Sequence, residues 1–199
     1  MNRLPFLVFL FFTLNTSAQD FEGKIFFEIK HFFHDSSKNN GRLPNKMNYL
    51  IAGKFSKINQ STAIGSQSII KDTLTNTSLL LIKIIDEDIA IILENEKDTN
   101  EVVQITYQEN FKTILNFKCQ KAIVNTYNKS SSKNSTAVIY FTKEISNSYS
   151  NNFNELLGFP LGYEINSDNI TSIYSATKIT RSPINTKEFE INSNTKTFT

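Results

Sequence analysis

Between Phe21 and Phe33 the chain alternates in a period of two. Phe21, Ile25, Phe27, Ile29 and Phe33 fall on one side, and Glu22, Lys24, Glu28 and Lys30 on the other. Successive side chains of an extended strand point to opposite faces, so this spacing predicts a strand with one buried face. Phe26 and Phe32 lie on the polar side, which is therefore not uniformly wet. Residues 35–44 are rich in Ser, Asn and Gly, the composition of an exposed hairpin end. Met47, Tyr49 and Ile51 then alternate with Asn48 and Ala52, and Gly53 turns the chain into residues 54–59.

A short pattern follows at residues 68–71. Stronger ones cover 79–85 and 89–93, separated by Asp86-Glu87-Asp88, whose polar side chains suit a tight reversal. Leu80, Ile82 and Ile84 point opposite to Leu79, Leu81 and Ile85, which predicts a central strand covered on both faces. Residues 101–108 place Val103, Ile105 and Tyr107 on one face. The stretch from Phe111 to Ile165 carries the clearest punctuation. FKTILNFKCQKAIV and VIYFTKEI are two alternating segments able to pair, and LLGFPLGYEI is a Gly and Pro turn into a third. Pro160 fixes its own φ and biases Phe159 toward an extended conformation, so Gly158, Phe159, Pro160 and Leu161 predict a rigid corner. Residues 146–157 break the strand period and predict one short helix capped by Asn151 or Asn152. Residues 170–180 read as a last strand and 192–199 as a frayed polar tail.

Ile, Thr, Phe and Tyr dominate the periodic segments, and side chains of this kind favour the pleated state over the helix. The expected fold is all-β: a single domain over residues 19–199, with about ten antiparallel strands and at most one short helix. A sheet of that many strands curls, so a strongly curved sheet or partly open barrel with an apolar concave side is expected.

The start of the chain changes the picture of location. Arg3, an apolar run from Leu4 to Phe12, and small residues ending at Ala18 form the pattern of a secretory signal cleaved after residue 18. The run is well short of the roughly 20 residues that cross a bilayer. The next residue, Gln19, is not the Cys that a bacterial lipoprotein would acylate. The expected protein is exported, without a transmembrane segment, in the periplasm or outer envelope. Lys and Arg number 21 against 19 Asp and Glu, a near balance that offers no electrostatic footprint for nucleic acid. Cys119 is the single cysteine, so no internal disulfide forms, and a small buried strand residue is the expected role.

Little in the chain suggests chemistry. His31, His34 and Asp35 resemble a metal cluster by composition, but a spacing of three puts the two imidazoles on opposite faces of a strand. Asp86, Glu87 and Asp88 lack the spaced oxygens and central Gly of a calcium loop. There is no G-x-S-x-G elbow and no G-x-x-x-x-G-K-[ST] phosphate loop in the sequence. The triplets Asn59-Gln60-Ser61 and Asn76-Thr77-Ser78 are of a kind that arises by chance in an Asn-rich chain. No catalytic residue, cofactor or metal ligand is expected.

Three motifs together carry a resemblance: residues 114–119 (ILNFKC), residues 140–145 (YFTKEI) and residues 158–161 (GFPL). With FEGKI at 21–25 and KEFEI at 187–191, their order is similar to that of secreted bacterial proteins of unknown function related to the GLPGLI family. Asn116 stands where that pattern prefers Gly. The resemblance implies a lipoprotein-carrier type of curved sheet around an apolar cavity, and it transfers no catalytic residue. The expected function is binding of an apolar or amphipathic ligand such as a lipid, on a wall built from Phe21, Ile25, Phe27, Ile29, Phe33, Val103, Ile105 and Tyr107. The alternative is a structural or interaction module that docks on another envelope protein.

Overall fold

The computed structural model describes residues 21–35, 43–62, 65–84, 87–93, 100–167, 169–191 and 195–198. The signal-like stretch 1–18 lies outside them. Strand β1 (Gly23–Phe33) realises the alternation seen in the sequence and is followed by β2 (Lys46–Ala52), β3 (Phe55–Thr62), β4 (Gly65–Asp72), β5 (Thr77–Ile84) and β6 (Glu87–Leu93). Then come β7 (Glu101–Ile114), β8 (Phe117–Asn128), β9 (Lys133–Thr142), β10 (Phe159–Asn166), β11 (Ile170–Arg181) and β12 (Lys196–Phe198). All belong to one open sheet in the order β12-β6-β5-β4-β3-β2-β1-β11-β10-β9-β8-β7. Every pairing is antiparallel except that of β12 with β6. Two meanders, β2–β6 and β7–β10, therefore flank the central pair β1 and β11.

The fold is all-β, as expected, and among the described residues its helical content is two 3-10 turns, Asn147–Tyr149 and Thr186–Phe189. The hydroxyl of Ser146 accepts from the Ser148 N–H and caps the first turn, in place of Asn151 or Asn152. A short hydroxyl at that position satisfies an N–H with no other partner.

Two features depart from the expected pattern of about ten strands: the boundary between β7 and β8, and a twelfth strand among the described residues. The segment FKTILNFKCQKAIV is not one strand: Leu115 (φ 48) and Asn116 (φ 70) form a two-residue reversal, and Ile114 pairs with Phe117 across it. Such a turn needs positive φ at both central residues, which explains why Asn occupies a place that suits Gly. Leu115 disguised the turn, since an apolar residue there prolongs the strand-like pattern. At the other end, Lys196–Phe198 of the polar tail lies alongside β6 as a short parallel strand. The supposed central strand 79–85 is also corrected: β5 stands third from one edge, and its Ile84 is exposed.

The sheet is strongly curved. Tyr49 on β2 and Phe159 on β10 stand three strand positions apart, which in a flat sheet is about 14 Å. Their rings nevertheless meet edge-on at a centroid distance of 5.0 Å. Phe27 on β1 similarly meets Tyr163 on β10 at 6.4 Å. The face carrying these rings is the inner face. It is crossed by segment 143–158, which joins β9 to β10 and lays Ile145, Tyr149 and Leu156 on the core. Segment 182–191 covers the opposite face of the β2–β4 region, where Ile184 and Phe189 pack with Leu50, Ala52 and Ile70.

Gly158, Phe159, Pro160 and Leu161 are all buried at the start of β10, and a register shift follows Pro160. A Cβ on Gly158 would collide with the carbonyl of Thr142. Here the missing side chain permits close strand approach.

Candidate ligand cavity on the inner face

Register places both predicted wall segments on the same face. Ile29 opposes Tyr174, which opposes Tyr163, then Ile139, Ala122 and finally Tyr107, so one cross-sheet row joins β1 to β7. The next row runs His31, Ser172, Ile165, Ala137, Val124 and Ile105. Directly opposed residues of antiparallel strands share a face.

The two ends of these rows differ in what covers them. Phe21, Ile25, Phe27 and Ile29 are buried among the protein's own side chains, and Phe33 at the end of β1 is half-buried. Tyr49, Phe159, Tyr163 and Tyr174 continue that packing, with Tyr163 and Tyr174 stacked at 4.3 Å. The four buried residues are therefore core, which corrects their assignment to an open ligand wall. Burial pushes the phenols of Tyr49, Tyr163 and Tyr174 above their usual range, so they stay neutral at physiological pH.

Val103 and Ile105 instead face free space. They line a cavity of about 590 Å³ whose floor continues through Val124, Ala137 and Ile165. Residues 151–155 form one side and Asn76 contributes from the β4–β5 turn. The volume lies within the roughly 300–1,000 Å³ usual for small-molecule sites. Tyr107 is not part of the lining. It is about one-third exposed, its ring packs edge-on against Phe141 at 5.7 Å, and its hydroxyl donates to the Glu155 carbonyl at 3.4 Å.

Phe153 marks the boundary between the packed and the open inner face. It has φ 58, a left-handed conformation costly for a bulky residue. Its carbonyl accepts from Asn147 Nδ2 at 2.9 Å and from the Leu156 N–H at 3.0 Å. So held, its ring meets Tyr163 edge-on at 5.4 Å and turns its other surroundings to the cavity. Sequence reading missed this residue because the motif around it, NNFNEL, has no strand period and no turn signature of its own.

A second polar group lies under the same crossing segment. Ser56, Lys71 and Ser78 form a row across β3, β4 and β5 on the inner face, and all three are buried. Lys71 Nζ donates to the Ser150 carbonyl at 2.8 Å. Burial lowers the Lys71 pKa, since the charged form loses water. Ser56 Oγ has no hydrogen-bond partner, so it is not coupled to Lys71 as a nucleophile–base pair would be. The amide of Asn151 and the carbonyl oxygen of the Asn147 side chain are likewise buried without partners. The Tyr149 hydroxyl closes the segment onto β2 by donating to the Gly53 carbonyl at 2.7 Å.

The histidines have local partners. His31 Nδ1 lies 2.9 Å from Ser172 Oγ and Nε2 lies 2.9 Å from the Pro44 carbonyl, so Nε2–H donates and Nδ1 accepts from the serine in the neutral ring. A carbonyl thus stands where a catalytic triad carries a carboxylate. His34 lies beyond β1, with Nε2 3.2 Å from Thr171 Oγ1. Among the described residues no three His, Cys, Asp or Glu side chains gather where a metal ion could sit. Cys119 is fully buried, and its thiol is pushed up to about 11 by that burial, which makes it a poor nucleophile. Among the described residues no helix is long and apolar enough to cross a membrane.

No protein-family model matches the chain, and no curated protein matches it.

Proposed function

We propose that this protein is a non-enzymatic, exported envelope protein that binds an apolar or amphipathic ligand in the cavity floored by Val103, Ile105, Val124, Ala137 and Ile165. One observation carries the reading: the inner face, packed shut at β1 and β2, leaves a cavity of about 590 Å³ bordered by Val103, Ile105 and Ile165, with the buried Val124 and Ala137 at its base. Solvent-facing apolar area of that kind favours an occupant, by about 0.8 kcal/mol per methylene removed from water. Export rests on the signal-like start, and the kinship with secreted proteins related to the GLPGLI family rests on the motifs at 114–119, 140–145 and 158–161.

Titration with phenylnaphthylamine, an uncharged fluorescent probe, tests the reading. Saturable enhancement by the folded protein is expected, together with its loss in Ile105→Asp at unchanged circular dichroism. Phe27→Asp, by contrast, strikes the core and unfolds the chain. No saturable binding by folded protein would refute the cavity reading.

A second reading is favoured by β7, a fourteen-residue strand that ends the sheet among the described residues and leaves Val102, Tyr107 and Phe111 exposed. Such an edge accepts an extended segment of another envelope protein as an added strand. Hydrogen exchange separates the two: strand addition protects alternate amides along β7, whereas a cavity ligand leaves its outer edge exchanging.

A further inference from the structure

The overall balance of charge hides a local excess. At one end of the sheet β8 and β10 begin, β9 and β11 end, and the Leu115-Asn116 reversal joins β7 to β8. Leu115, Asn116 and Phe117 share a recess there with Glu144, Lys178 and Arg181. Lys143 precedes Glu144, and Lys112 and Lys118 lie on the two arms of the hairpin. These five cations are exposed. The acids at this end are Glu144 and Glu22, the second of which accepts the Ile184 N–H at 2.8 Å. Glu109 lies farther back, in the irregular stretch of β7 between Tyr107 and Phe111. The ion pairs among the described residues are Lys54–Asp72 and Lys83–Asp88, so none of the five cations has a carboxylate within ion-pair distance there. Three lie over aromatic rings instead. Lys112 Nζ is 3.6 Å from the centre of the Tyr140 ring, Lys118 Nζ is 4.5 Å from that of Phe111, and the Arg181 guanidinium carbon is 5.4 Å from that of Phe21. A ring face holds a cation without cancelling its charge.

The tip between the two lysines is apolar. Leu115 is 38% exposed and sits at φ 48, a conformation that Asn or Gly reaches at lower cost. Leu157, next to Gly158 at the same end, is 59% exposed. Strain kept at an exposed apolar side chain points to a use outside the fold.

We infer that this end of the sheet rests on a bilayer surface of anionic lipid, with Leu115 below the headgroups and Lys112, Lys118, Lys143, Lys178 and Arg181 among the phosphates. Charge complementarity selects this occupant, and long cationic side chains laid over rings suit an interface that is apolar on one side and wet on the other. Each cation near such a surface strengthens binding by about fivefold, and Glu144 subtracts a similar factor. The surface uses none of the residues that line the cavity.

Sedimentation of the exported chain with vesicles of phosphatidylcholine, or of a phosphatidylcholine–phosphatidylglycerol mixture, tests this, all variants sharing one N-terminus. Binding to the mixed vesicles is expected, weakening at high salt, with none to the neutral ones. Lys118→Gln and Lys178→Gln should each weaken it by about fivefold. Leu115→Asn should weaken it by about fourfold, the transfer of one methylene, without lowering the melting temperature, since Asn tolerates the left-handed turn. The chain has no Trp, so Leu115→Trp supplies a single reporter whose emission should shift to the blue on mixed vesicles. Equal binding to both vesicle types, or binding untouched in Lys118→Gln and Leu115→Asn, would overturn the proposal. So would salt-sensitive capture by heparin with no blue shift on vesicles, which would assign the patch to a soluble polyanion. Phenylnaphthylamine binding by the same protein reads the cavity separately, so either site can fail alone.

Discussion

The two ends of the inner face are built from the same kind of strand and differ in what lies above them. Over β1, β2 and β10, side chains meet from both walls of the curve: Phe27 reaches Tyr49 at 5.9 Å and Tyr49 reaches Phe159 at 5.0 Å. Over β7, β8 and β9 the row that runs through Ile105 carries the small Val124 and Ala137 at the base of the cavity, and residues 151–155 of the crossing segment form one side of it. An apolar strand face therefore becomes core or cavity according to side-chain volume and to where the overlying segment runs. Its own alternation does not distinguish the two outcomes.

The largest effects should appear where the packed end is truncated. Phe159→Ala removes a ring with no solvent exposure and should cost about 3–5 kcal/mol by urea denaturation. Ile105→Ala at the open end should cost about 1 kcal/mol or less, since little packing is lost there. Equal costs at the two sites would dissolve the distinction between them.

Next is the corner that brings the crossing segment down. Gly158→Ala pushes a methyl group into the Thr142 carbonyl and should destabilise by about 1–3 kcal/mol. Pro160→Ala removes only backbone restriction and should lower the melting temperature less. An unchanged melting temperature in Gly158→Ala would show that β10 yields there.

Lys71 sharpens the comparison from the side of charge. Its folded pKa is lowered from 10.5 by burial, so below that lowered value the penalty is fully present. As pH rises from there towards 10.5 the unfolded chain holds more protons than the folded one, and stability should increase. Above about pH 10 the raised pKa values of Tyr49, Tyr163 and Tyr174 act in the opposite sense, because the unfolded phenols ionise first. Lys71→Met should flatten the alkaline rise without touching the later fall. Persistence of the rise in that variant would assign it to other groups.

The smallest effect concerns Cys119, on β8 beside the packed end. With its thiol pushed up to about 11, iodoacetamide labelling of native protein at neutral pH should be far slower than labelling of the urea-unfolded chain. Comparable rates would mean that the lower end of β8 opens readily.

Alternation and turn composition were enough to show an all-β chain, the first strand with its inner face, the Gly53 turn, and β5 and β6 as neighbours. Strand alternation is local: it follows from the period of two and is written in consecutive residues. The Leu115-Asn116 reversal was less legible, because its signal is a backbone conformation in a residue whose side chain looks like core. The same held for Phe153, whose left-handed conformation is imposed by Asn147 and Leu156.

Several features were decided only by tertiary structure. The twelfth strand among the described residues followed from the pairing of Lys196–Phe198 with β6, a contact between segments far apart in the chain. Which apolar faces close and which stay open depended on curvature, which brings Tyr49 against Phe159 across three strand positions. The burial of Lys71 under Ser150 joins residues 79 positions apart. The sequence by itself determined which side chains would face inward, because alternation is a property of neighbouring residues. Whether Phe27 met another ring and Ile105 met empty space was settled by the folded sheet, since each outcome depends on residues that approach only after the chain has curved.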